Sequence, residues 1–325
     1  MPMTGRYFVY VGTYTAKGSE GIYVCRFDAS SGGIEGPVPA ASLPNPTFQA
    51  LHPNGQVLYS GSEVRDASGR HGGSVNAFAI DPASGALRLL NRQSSGGAGP
   101  CHLSVSPDGR YLAVANYASG SVGLLSLEAE GRLGELAELV QHRGSSVNPE
   151  RQEAPHAHSA NFSPDGRFLF VADLGIDRVM AYRLDAAQGR LVAHDPPWVA
   201  SRPGSGPRHL AFHPSRRWAY VIHELDNTIT AFAYDEPAGL LRETQILSAL
   251  PAGFSGTSFA ADVHVSPSGR SLYGSNRGHD SIAVFRIEAS TGRLAPVGHA
   301  PTRGKYPRNF TIAPGGRFLL AANQD

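Results

Sequence analysis

The chain has 325 residues, 41% of them hydrophobic, which is enough to bury a large core, and its formal net charge is +1 with no run of like charges. That balance gives no footing for nucleic acid or for an anionic membrane surface, and no apolar run approaches the roughly 18 residues of a membrane-crossing helix. With only two cysteines, Cys25 and Cys101, a disulfide framework and a cysteine zinc site are both excluded.

In chain order, the opening MPMTGRYFVYVG has no cationic segment followed by a long apolar stretch, so a soluble protein of the reducing cytoplasm is expected. Residues 7–12 read as the earliest strand in the chain. A turn signature then recurs at His52-Pro53-Asn54-Gly55, Ser106-Pro107-Asp108-Gly109, Ser163-Pro164-Asp165-Gly166, His213-Pro214-Ser215-Arg216, Ser266-Pro267-Ser268-Gly269 and Ala313-Pro314-Gly315-Gly316. Its chemistry has a cause: proline presets φ for the first turn position, aspartate bonds its own backbone, and glycine accepts positive φ.

The turn prolines are 54, 57, 50, 53 and 47 residues apart, and each period holds only short strand-like runs. In the second full period these fall at residues 102–105, 111–115, 121–127 and 133–141. Four strands per period predict an all-β, seven-bladed β-propeller of four-stranded antiparallel blades, with residues 1–325 as one domain. The seven second strands are expected at 7–12, 57–61, 111–115, 168–172, 218–222, 271–275 and 318–322. The first copy lacks an inner strand and the last stops before its third, so ring closure is expected to be incomplete at the C-terminus and the seventh blade truncated.

This architecture constrains the chemistry. The first and second strands of a blade are antiparallel, so the start of one lies beside the end of the other. Six residues before the turn prolines stand Thr47, Cys101, His158, Arg208, Ala261 and Arg308; ten after them stand Glu63, Tyr117, Leu174, Glu224, Arg277 and Gln324. Both sets are expected around one mouth of the channel, with His102 and His209 one position further on. A mouth carrying His, Arg and Glu from successive blades suits a small anionic substrate. Taken singly, each residue has a plainer reading. His158 reads as a structural imidazole, Arg208 and Glu224 as an ion pair across one blade, His102 and His209 as bonds to backbone between blades, and Glu63 as a solvated loop acid. The His156-x-His158 pair has no acidic cluster to complete a metal site, and the turns at Gly96–Gly99 and Gly204–Gly206 lack any phosphate-loop pattern, so neither metal nor cofactor is expected.

The opening YVGTYT with GIYV, the GPCHLSVSPDGRYLAVANY unit, PHAHSANFSPDGR, GPRHLAFHP with a following Glu, and YPRNFTIAPGGRFLLAANQ resemble the seven-bladed lactonase family. That family includes propeller-type 6-phosphogluconolactonases and a fungal 3-carboxy-cis,cis-muconate lactonizing enzyme. The resemblance covers nearly the whole chain. It implies a cofactor-free cytoplasmic hydrolase that opens 6-phospho-D-glucono-1,5-lactone to 6-phosphogluconate, in the pentose phosphate route. By motif position it also implies His158, Arg208, Glu224 and Arg277 as catalytic residues, with His158 or Glu224 as general base. His102, His209, Glu63 and Arg308 are the expected substrate-binding residues. A muconate-type carboxylated substrate, or a non-catalytic propeller that binds a peptide at the same mouth, are the rival readings. Against the last, Trp218 is expected inside a strand and Trp198 in a loop, and neither marks a peptide platform.

Overall fold

In a computed structural model, residues 5–65 and 71–325 are described, and their regular structure is β-strand apart from three short 3-10 turns. The chain divides into two compact units. The first comprises Met1–Arg143, Pro155–Phe162 and Tyr182–Ala193, the second Gly144–Ala154, Ser163–Ala181 and His194–Asp325.

The strands form consecutive antiparallel sheets, each a meander in sequence order. The first is three-stranded, β1–β3 (Arg6–Gly12, Gly21–Asp28, Ile34–Ser42). Four-stranded sheets follow: β4–β7 (Pro46–Leu51, Val57–Arg65, His71–Ile80, Leu87–Ser94) and β8–β11 (Pro100–Val105, Tyr111–Asn116, Ser121–Leu127, Leu133–Gln141). Next come β12–β15 (Ala157–Phe162, Phe168–Asp173, Arg178–Asp185, Arg190–Ala200) and β16–β19 (Pro207–Phe212, Trp218–His223, Thr228–Asp235, Leu240–Ser248). Then β20–β23 (Phe259–Val265, Ser271–Arg277, Ser281–Ile287, Leu294–Pro301) precede a pair, β24–β25 (Pro307–Ile312, Leu319–Asn323). These are the blades of an all-β propeller. The strands expected from sequence are present, most with ends shifted by a residue or two, although β5 runs four residues beyond the expected 57–61. Trp198 is a correction: it lies in β15 rather than in a loop, because Arg178 stacks over its indole at 4.1 Å and gives an outer-strand side chain a partner.

The recurring turn is built as its residues dictate. Ser106 Oγ donates to Asp108 Oδ1 (2.6 Å) and accepts from the Tyr111 amide (3.0 Å), while the Gly109 amide donates to the Ser106 carbonyl (2.8 Å) at φ +71°. Ser163, Asp165, Gly166 and Phe168 repeat the arrangement. One hydroxyl thus closes both sides of the hairpin between first and second strands.

The most deeply buried elements are second strands of the four-stranded sheets, and β9, β13 and β17 are buried at every residue. In the second unit Trp218, Tyr220 and Ile222 of β17 pack with Val263, Leu272 and Phe285 of the following sheet. In the first unit Tyr59 and Val75 pack with Leu103, Leu112 and Val114 in the same way. A buried tyrosine favours a partner for its hydroxyl. Half-buried Tyr10 and buried Tyr59, Tyr111 and Tyr220 donate to the carbonyls of Gly85, Gly131, Ala186 and Gly292, joining four of the sheets to the outer turn of the next at 2.7–3.0 Å.

Candidate active site

The ladder between first and second strands is broken at one recurring place. Register shifts fall between Pro46 and Phe48, Pro100 and His102, Pro207 and His209, Ala260 and Val263, and Pro307 and Asn309. In four of the five the shift begins at a proline, which has no amide to give the ladder. The residues before those prolines, Asn45, Gly99, Gly206 and Tyr306, all have φ between +40° and +66°. The side chains left out of the ladder are Thr47, Cys101, Arg208, Ala261 with Asp262, and Arg308. A bulge re-aims its extra residue, and in these five sheets it does so at the position six before the turn proline that the spacing singled out.

In the second unit this places Arg208 against Glu224, which directly follows β17. Arg208 Nε donates to Glu224 Oε2 at 2.8 Å, Arg277 Nη2 lies 2.8 Å from the same oxygen, and Arg151 Nη2 donates to Oε1 at 2.6 Å. Arg208, Arg277 and Glu224 are buried, whereas the Arg151 side chain is 34% exposed. Arg277, the last residue of β21, also donates to the carbonyls of Phe259 (3.2 Å) and Ala260 (3.3 Å). Burial opposes ionisation of Glu224, yet Arg277, Arg208 and Arg151 together hold its carboxyl down at about 2. Desolvation and the charge of Arg277 bring Arg208 down to about 9 despite Glu224. Desolvation also lowers Arg277. Three guanidiniums share one carboxylate, and Arg308 adds to the field felt by Arg208 and Arg277, so the cluster keeps a cationic excess.

His209, also expected in this site, is turned to protein groups: Nδ1 lies 2.8 Å from Asp262 Oδ1 and Nε2 lies 3.2 Å from Arg208 Nη1. Arg308 is half-buried on β24.

His158, His102 and Glu63 belong to the first unit. His158 is buried on β12, with Cys101 Sγ 3.9 Å from its Nδ1 and the Tyr117 ring edge-on at 5.4 Å. His156 stacks on Tyr117 at 4.5 Å, its Nδ1 donating to the Tyr117 carbonyl at 3.1 Å. His102 stacks on Phe48 at 4.3 Å, and its Nδ1 accepts from the Ala160 amide at 3.4 Å. Glu63 is half-buried on β5, its amide bonded to the Asn45 carbonyl at 3.2 Å.

Two residues of the second unit escaped the sequence reading. Arg151 lies in the segment Gly144–Ala154, which has no counterpart in the turn repeat. That segment is pinned when Ser146 Oγ donates to Asp177 (2.6 Å) and Gln152 Nε2 to the Leu174 carbonyl (2.8 Å). Asp262 had a signal: it stands five before its turn proline, in register with His102 and His209. Among the described residues no group of three or more histidine, cysteine, aspartate or glutamate side chains is arranged to hold a metal, and no helix is long and apolar enough to cross a membrane.

A propeller in which a bulged first strand sets Arg208 against a buried Glu224 and Arg277 at the ends of second strands is the class that fold and site define, and known proteins agree. Residues 8–325 match the family described as lactonase, 7-bladed beta-propeller, and the chain belongs to that family. It is 41% identical over 321 residues to a 6-phosphogluconolactonase of Bacillus subtilis, spanning 98% of this chain and 89% of that relative. A Formosa agariphila 6-phosphogluconolactonase is 37% identical over 322 residues, spanning 97% and 89%. Among solved structures, a periplasmic gluconolactonase of Pseudomonas aeruginosa superposes with a TM-score of 0.92 at 39% identity, covering 98% of this chain and 89% of that one.

Proposed function

We propose that the chain is a lactonase that hydrolyses 6-phospho-D-glucono-1,5-lactone to 6-phosphogluconate without a metal or cofactor, in the cytoplasm and within the pentose phosphate pathway. In this reading residues 1–325 are one propeller domain, and β24–β25 are the inner half of a seventh blade. The observation that carries it is the sharing of one buried carboxylate by Arg151, Arg208 and Arg277. Their cationic excess suits a phosphorylated sugar acid and the oxyanion that develops at an attacked ester carbonyl. Relatives named 6-phosphogluconolactonase support the same substrate.

Hydrolysis needs a water activated for attack on C1, a stabilised oxyanion and a proton for the departing ring oxygen. A carboxyl held at about 2, with both oxygens engaged by guanidiniums, stays ionised but is a poor proton acceptor near neutrality. We therefore assign water activation, and return of that proton to the ring oxygen, to His158, the other base that the motif resemblance implies. Glu224 holds Arg208 and Arg277 in place as the oxyanion-stabilising pair, and Arg151 and Arg308 bind the rest of the substrate. A lactone is already an activated ester, so one base and two cations are a sufficient set.

The test is lactone hydrolysis by the purified chain, followed by acid release on 6-phosphogluconolactone and on unphosphorylated gluconolactone, the substrate class in the name of the Pseudomonas neighbour. Preference for the phosphorylated lactone, with turnover lost in His158→Ala, is the expected result. No turnover on either lactone, or full activity in that variant, would remove the reading.

A further inference from the structure

Asp262 is 2% exposed and its carboxyl group has no place in the chemistry assigned above. It nevertheless accepts five hydrogen bonds. Oδ1 accepts from His209 Nδ1 (2.8 Å) and the Val263 amide (2.9 Å); Oδ2 accepts from Asn309 Nδ2 (2.6 Å), His264 Nε2 (3.1 Å) and the Phe310 amide (3.2 Å). These donors come from the sheets of β16, β20 and β24. So many donors around one buried carboxylate leave it ionised and fixed.

Its bond to His209 determines where the ring proton sits. A guanidinium has no acceptor, so the Arg208 Nη1 group 3.2 Å from His209 Nε2 can only donate to a bare nitrogen. A carboxylate has no donor, so Nδ1 must carry the hydrogen given to Asp262. His209 is therefore a neutral ring in its Nδ1–H form, dictated from both sides. Arg208 Nη1 has one more anchor, the carbonyl of Ala261, which lies in the same β20 bulge as Asp262.

We propose that Asp262 is a positioning residue: it locks His209 as the Nδ1–H tautomer, and that ring, together with the Ala261 carbonyl, holds the Arg208 guanidinium against Glu224. Without the carboxylate, His209 is free to place its hydrogen on Nε2, where it opposes the donor of Arg208. The consequence for turnover rests on the lactonase reading; the tautomer does not.

The experiment therefore has two arms on the full chain. Nitrogen-15 NMR of the labelled histidines is expected to show His209 protonated at Nδ1 in the wild type and to lose that state in Asp262→Ala. Kinetics on 6-phosphogluconolactone are expected to show kcat falling roughly hundredfold in Asp262→Ala, with KM changed far less. In an Arg208→Ala background the same substitution should cost nothing further. His209→Gln, which keeps an acceptor near the Nε2 position, should retain most of kcat; His209→Asn, too short to reach Arg208, should not, and this pair decides the kinetic arm if Asp262→Ala does not fold. An Nε2–H ring in the wild type would overturn the proposal. So would an Asp262→Ala penalty of the same size with and without Arg208, or equal kcat in the two His209 variants. A chain inactive on every lactone defeats the functional reading and leaves the tautomer to judge Asp262.

Discussion

Arg208 Nε and Glu224 Oε2 lie 2.8 Å apart, and the two side chains are 2% and 5% exposed. If Glu224 were only the general base that the family resemblance allows, replacing it with glutamine would remove catalysis and leave the fold alone. The pairing changes that expectation, because the same carboxylate also compensates Arg277 and Arg151. Removing one partner of a buried ion pair costs on the order of 3 kcal/mol or more. Glu224→Gln is thus expected to lose both turnover and stability, seen as a lowered urea midpoint beside the loss of kcat. An unchanged midpoint would mean that the guanidiniums find other partners.

Arg151 differs in being a third exposed and held by a loop segment. Its removal should barely move the urea midpoint, since a pair this open to water is worth little. It should raise KM for 6-phosphogluconolactone about tenfold, the size of one charge-assisted contact, and leave KM for gluconolactone nearly unchanged. Equal effects on the two lactones would show that Arg151 does not meet the phosphate.

Gly206 stands before Pro207 at φ +66°, its amide donating to Asp177 Oδ1 (2.7 Å) and its carbonyl accepting from the Glu224 amide (2.8 Å). A Cβ there would lie 2.7 Å from Leu225 Cγ and 3.0 Å from Leu174 Cγ. Gly206→Ala is expected to cost about 1–3 kcal/mol of stability and to lower kcat by displacing Arg208. Thermal unfolding and kinetics on the same preparation check both effects.

Acid should weaken the fold before Glu224 titrates. Burial, then the charge of Arg208, holds His209 down at about 4, and burial holds His223 at about 3, against an ordinary 6.5. The unfolded chain binds these protons first, so stability present above pH 6.5 is lost as pH falls toward 4 and 3. Glu224 adds a loss between 4.5 and about 2. His264 has the opposite sign: burial opposes its charge, but Asp262 raises it, so its contribution is lost as pH rises through that raised value. His223→Gln, which can still bond Thr230, should show a shallower fall of the urea midpoint between pH 6.5 and 4 than the wild type. A slope identical to wild type would place the acid sensitivity elsewhere.

The fold was legible because its cause is local. Serine, proline, aspartate and glycine build a turn from within six residues, as Ser106 and Ser163 do, and the spacing of those turns sets the strands. The positions of Arg208, Glu224 and Arg277 were legible for the same reason, being counted from the turn prolines. Their partners were less so. Arg151 reaches Glu224 across 73 residues from a segment outside the repeat, and no counting rule applies to it. Asp262 occupied a repeat position that drew attention at His102 and His209, but its value lies in five bonds to three sheets, which spacing does not reveal. Trp198 looked like loop because its partner, Arg178, lies on the neighbouring strand rather than beside it in sequence.

The bulges carry a consequence for how such a protein can change. Because Thr47, Cys101, Arg208 and Arg308 sit outside the hydrogen-bonded ladder, a hydroxyl, a thiol or a guanidinium can occupy equivalent places while the strands beneath stay the same. Chemistry and scaffold are thereby written in separate letters of the repeat, and a new substrate can be accommodated by rewriting one letter per blade without renegotiating the architecture.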